Sequence, residues 1–380
     1  MRERVLCGLD RIGEADKLLR GARLGLMTHP AAINQKLCCS IDVLHNHYHL
    51  SSLFGCEHGV RGALQAGEHV DTYEDPDTGV PVYSLYGKTL RMTKEMLDSF
   101  DVLVFDMQDV GARFYTYLYS LSYALQACDT ADKRVVLLDR INPVGGQAVQ
   151  GTILDEAFHS FVGEYAMPVR YGLTIGEYAG WVRHYLNLHV DLHIVPLKNW
   201  RRSLYLDDIS SPWAAPSPNC PTIASMLTFL GTCVFEGTNL SEGRGTTNPF
   251  ELVGAPWVDG TRLALELNRS ELPGVGFRST CFTPTFSKHQ GVQCQGVQMH
   301  ITDRHHADTF SAGLMLLEAV RRLYPDCFQW LHDEHGFHAD RILGSDDFRL
   351  ERLDAKGLIE KHRPLLDDFI KQKKTFELYK

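Results

Sequence analysis

Leu50-Ser51-Ser52-Leu53-Phe54-Gly55-Cys56-Glu57-His58-Gly59-Val60-Arg61-Gly62 joins a short apolar run to an acid set between glycines. Residues 50–54 predict a buried strand, and Glu57 and His58 fall where that strand ends. In open α/β sheets ligands gather at the carboxyl ends of the strands, so an acid there is a candidate for chemistry. Glycine permits a sharp turn or a close backbone approach to a ligand. A plain structural turn is the competing reading, although such turns favour Asn, Asp or Pro beside glycine.

Working outward, residues 23–28 (RLGLMT), 101–106 (DVLVFD) and 134–139 (RVVLLD) are further short apolar runs. Residues 41–49, 93–100 and 117–131 between them carry helical patterning. Residues 191–196, after a helical stretch at 175–186, predict a fifth strand. Strands alternating with helices form βαβ units and a parallel sheet, so the first half is α/β and Rossmann-like. The dinucleotide fingerprint is missing: Thr28-His29-Pro30-Ala31-Ala32 offers no glycine after the first strand, which argues against NAD. The second half changes character. A proline-dense stretch, residues 212–221, predicts a rigid connector over the surface, and a glycine-rich polar stretch follows at 236–247. Strand-like pieces at 276–282 and 296–302 and helices at 310–322 and 363–372 predict a smaller α+β domain. The expected division is 1–215 and 216–380, with the active site in the cleft between the two parts.

Composition narrows the function. The chain has 380 residues, 44 % hydrophobic and 22 % charged, as in soluble globular proteins. A net charge of −9 argues against sequence-independent nucleic-acid binding, which needs basic surface. No apolar run approaches the about eighteen residues that span a membrane, and the start lacks the apolar core of a signal peptide, so the expected compartment is the cytoplasm. Of the ten cysteines Cys38 and Cys39 are adjacent and the other eight are scattered singly, and metal binding at the alternating His45, His47 and His49 or at His305-His306 is not expected; neither a disulfide framework nor a metal site is predicted.

The expected strand ends converge on one edge. They supply Glu57, His58 and Arg61 after the second strand, then Asp106, Gln108, Asp109, Arg113 and Tyr115 after the third. Asp139, Arg140 and Asn142 follow the fourth. Any one of these also makes sense as a cap or turn residue. Tyr115 and Tyr117, beside an acid and an arginine, suit a sugar. Arg244, between two glycines and near Glu236 and Glu242, is placed to grip a carboxylate or phosphate in two-pronged fashion. The stretch around it is not a P-loop.

Several blocks together resemble one family: FGCEHGVRG, TGVPVYSLYG, DVLVFDMQDVGARFYTY, LLDRINPVGG, SFVGEYAMPVRYGLTIGE, PSPNCPT and EGTNLSEGRGTTNPFELVGAPW. In this order they are similar to the signature blocks of the exo-β-N-acetylmuramidases, a glycoside hydrolase family once catalogued as a domain of unknown function. The resemblance runs from about residue 8 to 303. It implies a Rossmann-like domain, a smaller second domain and release of N-acetylmuramic acid from the non-reducing end of peptidoglycan fragments, in cell-wall turnover and recycling. The family's proposed catalytic glutamate, in its P-E-H-G block, maps onto Glu57, with His58 beside it. Cys56 replaces the usual proline, and Ile141 stands where a D-R-P-N-P block has proline. Family members are often exported.

That chemistry assigns expectations to the other residues. Glu57 is the proton donor. Asp106, Asp109 or Glu242 is the nucleophile or base, unless the substrate's acetamido oxygen takes that part. The lactyl carboxylate needs Arg244, Arg61 or Arg113; the ring needs Tyr115 or Tyr117; the acetamido group needs Gln108, Asn219 or Asn239. The expected partner is a small sugar or muropeptide, with no cofactor, metal, nucleic acid or membrane. A sugar-binding protein without catalysis and a nucleotide-dependent transferase are the competing readings.

Overall fold

A computed structural model describes residues 3–56, 59–62, 72–85 and 89–380. Fourteen strands follow one another among these residues: β1 (Arg23–Thr28), β2 (His49–Gly55), β3 (Tyr73–Glu74), β4 (Pro81–Ser84), β5 (Val102–Asp106), β6 (Arg134–Leu138), β7 (Gln150–Ile153), β8 (Pro168–Arg170), β9 (Leu192–Val195), β10 (Leu252–Ala255), β11 (Val275–Phe282), β12 (Cys294–Ile301), β13 (His332–Asp333) and β14 (Gly336–Phe337). The helices are α1 (Asp16–Leu19), α2 (Ser40–His47), α3 (Lys94–Asp98), α4 (Tyr117–Thr130), α5 (Ile175–Tyr185), α6 (Ile223–Thr232), α7 (Gly260–Asn268), α8 (Thr309–Leu323), α9 (His338–Leu343) and α10 (Ala355–Lys373).

The first half is an α/β layer structure. Its seven-stranded sheet has the order β3-β4-β2-β1-β5-β6-β9, parallel throughout except where β3 meets β4. Strand alternation sends Leu103 and Phe105 to one face, against α4 and α5, and Val102 and Val104 to the other, against α2 and the N-terminal turns. Gly25 lets the sheet accept two rings: a Cβ there would lie 2.8 Å from Phe100 and 2.9 Å from Phe54.

The second half is the smaller α+β unit. Its antiparallel sheet, in the order β10-β12-β11, packs with α6, α7 and α8 around a core that also takes in Val110, Ala112, Phe114, Val144 and Val169 of the first half. Helices α6 and α8 touch through glycine, since a Cβ on Gly313 would lie 2.1 Å from the Gly231 carbonyl. The chain does not part cleanly near residue 215, because its last residues return to the first half. Phe369 on α10 packs on Trp181 (ring centroids 5.9 Å), and Tyr379 donates to Asp139 (2.5 Å).

Three expectations change. The 212–221 connector lies over the surface only in part: Ala215 and Pro218 are exposed, but Pro216, Asn219 and Cys220 are buried, and the Pro216 carbonyl accepts from Tyr117 Oη at 3.3 Å. Proline brings no N–H to satisfy, so such a segment is buried at low cost. Helix α10 starts eight residues before the expected 363, capped by Asp354 accepting from Gly357 N (2.7 Å), with Pro364 carried inside it. The β7–β8 pair and β4 were not expected at all.

Candidate active site

The order of the parallel strands reverses between β1 and β5: β2 and β4 lie to one side of β1, while β5, β6 and β9 lie to the other. Ligands in open α/β sheets bind outside such a switch point. Here the two tips are tied together, Gln108 N–H donating to His29 Nε2 at 2.6 Å. From this crevice a run of rings leads outward: His29 to Tyr117 (centroids 5.0 Å), then Tyr117 to Tyr115 (4.8 Å). Glu57 and His58 lie outside the described residues. Their neighbours Cys56 and Gly59 follow the tip of β2 and are joined by a hydrogen bond of 3.0 Å.

Most of the described polar residues at the tips serve the fold. Asp106 is completely buried and holds Arg140 through two bonds of 2.6 and 2.9 Å. Asp139, also inaccessible, accepts from Gly176 N (2.7 Å) and Thr174 Oγ1 (2.9 Å), bracing the N-terminus of α5. Burial pushes its carboxyl up to about 7, against the pull of the Tyr379 hydroxyl. Asp109 is buried, bonded to the Tyr171 hydroxyl and to Gly111 N (2.6 Å), and burial pushes it up to about 6. The Gln108 amide donates to the carbonyls of Asp109 and Ile141 (2.7 and 2.9 Å), and Asn142 to that of Leu173 (2.8 Å).

Two of the three candidate arginines are likewise engaged. Arg113 is fully buried and donates to the carbonyls of Thr152, Met167 and Ile342 at 2.5, 2.9 and 2.7 Å. Burial lowers its pKa to about 10. Arg61 clasps Asp75 through two bonds of 2.6 and 2.9 Å, which hold that carboxyl down at about 2. Asn239 uses its amide on Cys327 O (2.8 Å) and Gln329 N (3.0 Å), a bridge within the second half.

Arg244 is placed differently. The glycines on either side, Gly243 and Gly245, have φ of 80° and 79°, a conformation that other residues rarely adopt, and they turn the intervening side chain inward. Its guanidinium meets Glu236 at 2.5 Å and Glu242 at 3.2 Å and lies 5.1 Å from the centre of the Phe250 ring. Lys288 Nζ completes the cluster 2.7 Å from Glu242. Burial raises the pKa of Glu236, but the His338 hydrogen bond (3.3 Å) and the Arg244 charge outweigh it and hold the group down at about 2, ionised.

Arg244 and Glu236 line a cavity of about 220 Å³ together with Tyr115 and Thr116 from the first half and Asn219 from the connector. Drug-sized ligands occupy roughly 300–1,000 Å³, so this space suits one sugar ring. The fold thus brings Tyr115, Asn219 and Arg244 together, with Glu242 behind them. Asp106, Asp109, Gln108, Arg113, Arg61 and Asn239 do not line it. Glu236 was noted in the sequence only as an acid near Arg244. Its partner His338 had no signal, standing in the tail where the resemblance is faint, whereas Phe161 and Val162, on the cavity wall, lie in a quoted block. Among the described residues, no group of three or more His, Cys, Asp or Glu could hold a metal, and no helix is long and apolar enough to cross a membrane.

Comparison with known proteins identifies the family. The family description "Exo-beta-N-acetylmuramidase NamZ, N-terminal" matches residues 24–224, and its C-terminal counterpart matches residues 227–379. A relative from Bacillus subtilis (strain 168), peptidoglycan beta-N-acetylmuramidase NamZ, is 43 % identical over 384 residues, spanning 100 % of this chain and 92 % of that protein. A solved structure of a DUF1343 family protein from Bacteroides fragilis is 34 % identical with a TM-score of 0.92, covering 100 % of both chains. A second such structure from the same organism is 26 % identical with a TM-score of 0.79, covering 100 % of this chain and 99 % of that one. Matched along almost its whole length, the chain belongs to the exo-β-N-acetylmuramidase NamZ family.

Proposed function

We propose that this protein is an exo-acting glycosidase that releases N-acetylmuramic acid from the non-reducing end of peptidoglycan fragments. The observation that carries the reading is Arg244, turned by two glycines into a cavity of single-sugar size beside Tyr115. N-acetylmuramic acid differs from N-acetylglucosamine by an anionic lactyl ether. Arg244, whose partners Glu236 and Glu242 are also held by His338 and Lys288, pairs with that carboxylate, the Tyr115 ring covers an apolar face of the sugar, and the Asn219 amide meets the acetamido group. Glu57, assigned from the resemblance of its block, protonates the glycosidic oxygen as the bond to the anomeric carbon breaks. Water supplies the hydroxyl that replaces it and returns a proton to the enzyme. Asp106 and Asp109 are engaged inside the fold and Glu242 is buried against Arg244 and Lys288, so the second role falls to the ionised Glu236 or to the substrate's own acetamido oxygen.

Glu57→Gln tests this directly. Turnover of a chromogenic β-N-acetylmuramide should fall by about 10²–10⁴-fold, the usual worth of a general acid, with folding unchanged. Near-normal turnover removes Glu57 from the mechanism, and saturable binding without product by the wild type favours a binding protein. We further propose that the protein works in the cytoplasm, in recycling of wall fragments. The ten free thiols support a reducing compartment, and recovery of the protein outside the cytoplasmic membrane on fractionation would end that part.

A further inference from the structure

A second space adjoins the single-sugar cavity. A basin of about 650 Å³ lies on the antiparallel sheet, and Asn219 lines both spaces. So does the loop that carries Arg244: that residue faces the cavity, while the next four, Gly245 to Asn248, face the basin. The far rim is locked to the same loop. Thr285 N and Oγ1 both donate to the Gly245 carbonyl at 2.9 Å, and a Cβ at position 245 would lie 2.7 Å from the Phe286 backbone. Only glycine permits that approach. A ligand too large for the cavity therefore continues into a basin whose position relative to Arg244 is fixed.

The basin suits a carbohydrate that bears an acid. Thr280 offers a hydroxyl, Thr246 and Thr285, whose hydroxyls donate to the Gly243 and Gly245 carbonyls, offer acceptor oxygens, and Phe286, 50 % exposed, offers an aromatic edge. Arg278, on the outer strand β11, points its guanidinium to Gln298 Oε1 (2.7 Å), and Gln298 is oriented by Glu251 (3.1 Å). Among the described residues, the acceptor of Arg278 is thus a neutral amide, and its charge is held in place without a carboxylate upon it. Another groove, of about 690 Å³, touches the cavity on the side of Phe161 and Val162, but its arginines are already matched: Arg341 to Asp333 (2.6 Å) and Arg349 to Asp340 (2.8 Å). The acid of an extended ligand goes to the basin.

We propose that this basin is the site for the leaving part of the substrate and that Arg278 binds the carboxylate of its next muramoyl residue. The proposal rests on the muramidase reading. After the bond broken in the cavity come one N-acetylglucosamine and then a muramoyl residue, whose acid is either its lactyl group or that of the attached peptide. Arg278 then makes the enzyme favour fragments with at least three sugars and a second acid, without touching the sugar that is released.

The test compares wild type and Arg278→Gln on a chromogenic β-N-acetylmuramide, on the disaccharide with N-acetylglucosamine, and on the trisaccharide ending in a second N-acetylmuramic acid. It adds the trisaccharide with its second lactyl group as a methylamide and as a short peptide carrying carboxylates. The variant should lose about ten- to hundredfold in kcat/KM on the acidic trisaccharide, the worth of one charge-assisted hydrogen bond, relative to the first two substrates. The methylamide should remove the difference. Loss on the peptide form alone assigns Arg278 to the peptide acid. An equal effect on every substrate, or none on any, overturns the proposal. A wild-type enzyme inactive on the chromogenic substrate overturns the muramidase reading instead.

Discussion

Two sets of charged residues in this molecule have opposite surroundings. The pair Asp106–Arg140 at the tips of β5 and β6 is 0 % and 6 % exposed and closed on itself. The pair Glu236–Arg244 in the second half is 24 % and 26 % exposed and stands on a cavity wall. Both are carboxylate–guanidinium contacts of similar length, 2.6 and 2.5 Å. The difference lies in what covers them. The described tips of the sheet are roofed by the 212–221 connector and the returning C-terminal residues, so their charges brace the fold. The loop of the second half is left facing space, so its charges are available to a ligand.

That contrast breaks most visibly in stability. Asp106→Ala leaves the Arg140 guanidinium buried without its carboxylate and should cost about 3–5 kcal/mol, read as a lower midpoint of denaturant unfolding. Arg244→Met breaks a partly exposed pair with Glu236 and leaves the buried Glu242 its partner Lys288, so it should cost about 1 kcal/mol or less. Comparable losses in the two variants would mean that the 236–251 loop is as structural as the strand tips.

What the sequence revealed follows the same division. The five main parallel strands were legible because each is a short apolar run bounded by polar residues. Strand β4 opens on Pro81 and runs only to Ser84, and β7 contains Gly151, so neither carries an apolar run to announce it. Arg244 was legible because glycine on both sides of an arginine is a local signal with a backbone meaning. Arg113 was misleading. Beside aromatics and an acid it read as a ligand-gripping residue, yet its acceptors come from residues 152, 167 and 342. No local pattern shows partners that the fold brings from 39 to 229 residues away.

A second comparison sharpens the role of the exposed pair through activity. Arg244→Lys keeps the charge but loses the planar two-pronged geometry. KM for a chromogenic β-N-acetylmuramide should rise by about tenfold, near the worth of one charge-assisted hydrogen bond, with kcat less affected. The matching β-N-acetylglucosaminide, which has no lactyl carboxylate, should respond little. Equal responses to both would detach Arg244 from the lactyl group and return it to the company of the structural arginines.

The smallest effect concerns pH and the buried set alone. Asp139 and Asp109 are pushed up by burial to about 7 and about 6, from an ordinary 3.8. A carboxyl raised in the folded state binds its proton more tightly there than in the unfolded chain. Its contribution to stability is therefore complete below about pH 3.8 and is lost as the pH rises through about 6 to 7. Tyr379 donates to Asp139 and favours its charged form, so Tyr379→Phe should raise that pKa further. The variant should be less stable by about 1 kcal/mol at pH 8, and the deficit should shrink at pH 5, where Asp139 is protonated with or without the hydroxyl. Unfolding curves at the two pH values decide it. A deficit that does not change with pH would show that Asp139 keeps its charge even under the C-terminal cover, and the strand tips would then hold a live carboxylate rather than a neutral brace.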